Sequence, residues 1–113
     1  MDNVVSLADD FKREFKRLRK KYSSLDDDLA RFIARLHENP FLGVSLGGGL
    51  RKVRFPISSK GRGKSGGGRV ITHNVIASTQ GANVKLLTIY DKSDKANIKP
   101  SELRAILKEE GLL

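Results

Sequence analysis

The hydrophobic period of the chain changes from helical to alternating at Asn39-Pro40, and that change commits it to a mixed helix-and-sheet architecture. Before the break, Phe11, Phe15, Leu18 and Tyr22 recur at the interval that returns side chains to one side of a helix. Ser23-Ser24 interrupt this stripe, and Ser24 is placed to cap a second helix. Asp26, Asp27 and Asp28 fill its first turn, where carboxylates complement the positive helix end, and Leu25, Leu29, Phe32, Ile33 and Leu36 form its apolar side. So short a connection predicts an antiparallel helical hairpin, ended by Pro40.

Beyond Pro40 the pattern alternates. In residues 50–57, period two sets Val53, Phe55 and Ile57 on one side of a strand and Lys52 and Arg54 on the other. Two more strand-like runs, residues 69–77 and 84–90, are joined across residues 78–83 in a manner that suits a β-hairpin. The apolar opening at residues 3–7 reads as a further strand. Ile98, Leu103, Ile106 and Leu107 mark a closing helix with Pro100 at its first position. The expected fold class is α+β: a helical hairpin and a C-terminal helix on a small, mostly antiparallel sheet. At 113 residues the chain fits one domain, spanning 1–113, with a single core.

Charge narrows the function. Twenty-two Lys and Arg against 13 Asp and Glu give a net charge of +9. Between Glu38 and Asp91 there is no carboxylate, while Arg51, Lys52, Arg54, Lys60, Arg62, Lys64, Arg69 and Lys85 lie there. So long an uncompensated segment attracts polyanions, because each phosphate neutralised releases counterions. The first helix is basic as well, with Lys12, Arg13, Lys16, Arg17, Arg19, Lys20 and Lys21 around its apolar stripe. Those charges suit RNA or an acidic partner. There is no cysteine, so disulfides and thiolate metal sites are excluded. No apolar run approaches the roughly 20 residues of a membrane span, and the N-terminus carries acids in place of a signal segment. The expected setting is the cytoplasm, without a membrane.

The segment GRGKSGGG invites a nucleotide-binding reading, which its context opposes. A phosphate-binding loop of the Gly-x-x-x-x-Gly-Lys-Ser kind would need glycine where Ser58 stands, and a helix where a strand-like run follows. Metal chemistry has little to draw on: His37 and His73 are the only histidines, and neither belongs to a ligand-spaced cluster. RNA remains. Lys52 and Arg54 from one strand, Lys60, Arg62 and Lys64 from the glycine-rich loop, Arg69 from the next strand, and Tyr90 with Lys92 from the third can converge on one surface. Arg51 and His73 lie in the same basic segment and are further candidate RNA contacts.

The helical hairpin followed by GLRKVRFPISSKGRGKSGGGRVI and then LLTIYDKSDKANIKPSEL resembles the RelE/HigB family of toxins from bacterial type II toxin–antitoxin modules, over residues 7–107. The resemblance implies a microbial-ribonuclease-like α+β fold with a concave basic sheet face. It implies a small ribonuclease that cuts messenger RNA in the decoding site of the ribosome without a metal or other cofactor. The family's strand lysines fall on Lys52 and Arg54, its phosphate-binding arginine on Arg69, and the basic residue after the last strand on Lys92.

Attack by a ribose 2'-hydroxyl needs a base, cations to hold the phosphorane charge, and an acid for the leaving oxygen. Arg54 and Arg69 suit the charge-holding role, Lys52 is the candidate base, Lys92 would stabilise the leaving group, and Tyr90 would stack on a base or orient the hydroxyl. Arg54, a permanently charged guanidinium, cannot itself be the base. The implied partners are the ribosome with its messenger and a cognate antitoxin, HigA-like or RelB-like. Two other functions compete: a ParE-like inhibitor of DNA gyrase on the same fold, and a noncatalytic RNA-binding module.

Overall fold

The computed structural model describes residues 3–60, 67–78 and 81–113. In chain order it contains β1 (Val4–Leu7), α1 (Asp9–Arg19), α2 (Leu25–Glu38), β2 (Val44–Gly47), β3 (Leu50–Phe55), a single 3-10 turn (Ser58–Lys60), β4 (Gly68–Ser78), β5 (Gly81–Asp91) and α3 (Pro100–Glu109). The strands form one sheet in the order β1-β5-β4-β3-β2. β1 runs parallel to β5, and every other neighbouring pair is antiparallel. The α+β architecture expected from the sequence is the one observed.

Alternation along the strands gives each face of this sheet its own core. Val53, Phe55, Val70, Val84, Leu86 and Ile89 point to one side, where Phe11, Leu18, Leu25, Phe32 and Leu36 of α1 and α2 cover them. The Phe32 and Phe55 rings meet at 5.1 Å between centroids. Their strand neighbours Ile71 and Tyr90 point the other way, into a smaller cluster closed by Ile106 of α3 together with Ala8 and Leu87. An extra residue, Leu87, is accommodated where the β4–β5 register shifts between Ile71 and Thr72.

Several local expectations are corrected. The first helix ends at Arg19, so Tyr22 leaves the helical stripe, yet its backbone N–H bonds Leu18 O at 3.0 Å and its ring stays in the core. Ser24 stands at the N-cap of α2 without capping it. Its hydroxyl donates instead to Asp28 Oδ2 at 2.6 Å and accepts from Ser59 N at 2.8 Å. Asp28 does lie in the first turn of α2, as expected, but it is buried and bound by Ser58 N at 3.1 Å and Ser58 Oγ at 2.7 Å. Ile98 precedes the closing helix and packs beneath it, while Pro100 does open it.

The strand β2 has no counterpart in the sequence reading. All four of its residues are exposed, so no apolar alternation marks it. It is made by glycine: Gly47, Gly48 and Gly49 all take positive φ to turn the chain into β3. A side chain at Gly43 would collide with the Lys52 carbonyl oxygen.

Candidate nucleic-acid interface and active site

Register assembles the site. Arg54 of β3 is directly opposite Arg69 of β4, which is directly opposite Tyr90 of β5. The next row on the same face is Lys52, Ile71 and Thr88. Opposed residues in such ladders have Cβ atoms about 5 Å apart, so the first row spans about 10 Å across three strands. This face is the one carrying α3, whose cluster covers Tyr90 and Ile71 and stops short of Arg54.

Each side chain in the row has a distinct environment. Arg54 is exposed. Arg69 is 9 % exposed, with Nη1 donating to Gly68 O at 2.9 Å, so the guanidinium is held against its own backbone. Tyr90 is 2 % exposed, with Lys95 Nζ 5.4 Å from its ring centroid. Burial pushes the Tyr90 hydroxyl pKa up, against the opposing influence of the Arg69 charge. The expected stacking of a base on this ring is not favoured by its burial: Tyr90 lies in the cluster under α3, directly opposite Arg69 on the neighbouring strand. Its Oη makes no hydrogen bond of ordinary geometry among the described residues.

Lys52 is half-buried, and its Nζ donates to Asn97 Oδ1 at 3.1 Å. Asn97 comes from the segment leading into α3 and is a site neighbour that the sequence reading missed. Lys92, also half-buried, begins the turn after β5, and its backbone N–H bonds Gly67 O at 3.0 Å. That bond ties the turn to the start of β4 and brings Lys92 to the end of the sheet where Arg54 and Arg69 lie.

The other expected RNA contacts are dispersed. Arg51 alternates to the opposite face from Lys52, and its guanidinium donates to Leu42 O at 3.0 Å and Gly43 O at 2.9 Å, holding the approach to β2. His73 shares the face with Arg69 but lies four residues along β4, about 13 Å away. Burial, aided by Lys85, moves its pKa below the ordinary value and so favours the neutral ring. Lys60 is turned inward: its Nζ donates to Asp91 Oδ1 at 2.7 Å and to Ser93 Oγ at 3.3 Å. Arg62 and Lys64 lie outside the described residues.

Asp91 is the second residue that sequence reading missed. Its side chain is fully buried, yet it meets Lys60, the Tyr22 hydroxyl, and both Ser93 N at 2.9 Å and Ser93 Oγ at 2.7 Å. Burial opposes its ionisation, but the hydrogen bonds from Lys60, Tyr22 and Ser93 prevail and hold the carboxyl well below the usual carboxylate range. A signal was present: Asp91 is the first acid after Glu38, and it directly follows an apolar strand.

Among the described residues, no three His, Asp or Glu side chains gather as a metal site would require. No helix among them is long and apolar enough to cross a membrane. What the arrangement offers is a set of cations from two strands and a turn, of a charge that suits a phosphodiester. Residues 11–111 match the family described as the RelE toxin of the RelE/RelB toxin–antitoxin system. A match over most of the chain, on a sheet that sets out its cations in this way, carries one conclusion: the chain belongs to the RelE toxin family, as the toxin of a toxin–antitoxin module with a cognate antitoxin for partner.

Proposed function

We propose that this toxin is a metal-independent endoribonuclease that cuts messenger RNA on the ribosome and so stops translation. The observation that carries the reading is the in-register row of Arg54, Arg69 and Tyr90, with Lys52 one row along the same face. In the proposed reaction the ribose 2'-oxygen attacks the adjacent phosphorus, its proton passing to a base. The bond from phosphorus to the 5'-oxygen then breaks and that oxygen takes a proton from an acid, leaving a 2',3'-cyclic phosphate and a 5'-hydroxyl. Lys52, close to Asn97 and free of any carboxylate partner at its Nζ among the described residues, is the candidate base. Arg54 and Arg69 would hold the phosphorane charge, and Lys92 would stabilise the leaving oxygen. Lodging the messenger in the decoding site would supply much of the alignment, which is worth as much as proton transfer in reactions of this kind. The antitoxin, HigA-like or RelB-like, would neutralise the toxin by covering this face or by keeping it off the ribosome.

Purified protein added to a translation extract tests the proposal. Translated messenger should be cut, with cyclic phosphate at the new 3' ends. Arg69→Ala should lower the cutting rate by about 10²- to 10³-fold, the usual loss on removing one preorganised charge-holding donor. Intact messenger alongside a loss of plasmid supercoiling by DNA gyrase would replace the proposal with the gyrase reading. Binding to RNA that weakens only modestly in Arg69→Ala, with no cutting by either protein, would leave a noncatalytic binder.

A further inference from the structure

The cations of the site stand on a strand end and a turn, and both are organised from behind by one side chain. Consecutive strand residues face opposite ways, so Asp91 lies back to back with Tyr90, on the side of α1 and α2. Its Oδ1 accepts from Lys60 Nζ at 2.7 Å, Ser93 N at 2.9 Å and Ser93 Oγ at 2.7 Å, while Oδ2 accepts from Tyr22 and stands 3.9 Å from Lys21 Nζ. Its backbone carbonyl accepts from Asp94 N at 2.9 Å and Lys95 N at 3.2 Å. A single residue thus closes the turn that carries Lys92 and Lys95, and it also fixes Lys60 at the end of the 3-10 turn. A fully buried carboxylate beneath a phosphate-binding face is costly unless paired, and it withdraws Lys60 from any polyanion.

The geometry points to Asp91 as a positioning residue for the cutting reaction: it trades the RNA affinity of Lys60 for a fixed turn that aims Lys92 beside Arg69. This inference rests on the ribonuclease reading and deepens it. Two opposite effects follow from one substitution. Asp91→Asn keeps the shape but frees Lys60, so binding to ribosome-free RNA should tighten and its salt dependence should steepen by about one counterion. The turn would keep its backbone bonds, but without the carboxylate charge the bonds from Ser93 and Lys60 that fix it would weaken, so the cutting rate at saturating ribosomes should fall by about 10- to 100-fold, as misplacement of about 1 Å does elsewhere. A merely structural carboxylate predicts something else: loss of folded protein, with RNA binding and cutting falling together.

The experiment measures messenger cutting in single turnover, binding to a ribosome-free RNA oligonucleotide across salt, and thermal unfolding, for the wild type, Asp91→Asn, Lys60→Met and Ser93→Ala. Weaker cutting with tighter RNA binding in Asp91→Asn supports the inference, as does weaker cutting without tighter binding in Lys60→Met. Should Asp91→Asn fail to fold, Ser93→Ala decides: it removes one anchor and leaves the ion pair, and about a threefold loss in cutting rate is expected. Unchanged cutting in the folded variants overturns the inference and leaves the ribonuclease reading standing. A wild type that cuts no messenger defeats the ribonuclease reading and this inference with it.

Discussion

The two faces of the sheet are written in the same strands, one residue apart, and do different work. In β3, Val53 and Phe55 enter the dry core under α1 and α2, while Lys52 and Arg54 face the other way. In β4 the same division separates Val70 from Arg69, and in β5 it separates Ile89 from Tyr90. One face is closed by two helices; the other is covered only in part, by α3, and keeps its cations at the margin. The lesson is that register does both jobs. A slip of one residue in β3 would expose Phe55 and bury Arg54, so the hydrophobic core enforces the alignment on which the site depends.

The comparison can be broken most forcefully at Phe32. Phe32→Ala should cost about 3–5 kcal/mol of stability, measured by urea unfolding, because the ring is fully buried against Phe55. Cutting per folded molecule should stay unchanged; a tenfold loss there would mean that the faces are not separable. Arg54→Ala is the mirror experiment. Cutting should fall by about 10²- to 10³-fold, while stability moves by no more than about 0.5 kcal/mol, since the side chain is exposed.

Acid provides a third probe, aimed at the carboxylates that join the faces to the segment after β3. Asp28 and Asp91 both have folded pKa values below their ordinary ones. Their contribution to stability is therefore fully present above the ordinary carboxylate range and is lost as pH falls from about 4 downward. Replacing Asp91 with Asn should flatten that acid limb in a titration of melting temperature. A smaller effect is expected at Asn97, whose amide oxygen accepts a hydrogen bond from Lys52 Nζ. Asn97→Ala should slow cutting by about three- to tenfold, in line with one lost hydrogen bond. Least of all, His73→Gln should remove a shallow loss of stability as pH falls below about 6.5, because the folded chain disfavours the protonated ring and the unfolded chain does not.

Much of this was legible in the sequence wherever burial imposes a period. Phe11, Phe15 and Leu18, the β3 alternation and the Pro100 helix start were all read from spacing, and the strands follow the runs proposed for them. The strand β2 was not, because an exposed edge strand built on glycines has no apolar period to detect. Polar side chains are harder still. Lys60 reads as one more cation of a basic loop, and only the approach of β5 to the 3-10 turn reveals that Asp91 has captured it. Tyr90 suggests an exposed aromatic until α3 is seen to lie over it. Each depends on contacts between segments distant in sequence, which local pattern does not encode.

The parallel pairing of β1 with β5 carries a consequence for the order of events in synthesis. Val4 is aligned with Asn83, so the first strand made must wait for the last before it has a partner. The row of Arg54, Arg69 and Tyr90 waits for the same strand. A nascent chain therefore displays most of its positive charge well before that row exists, and the arrangement proposed to cut comes into being only as β5 joins the sheet.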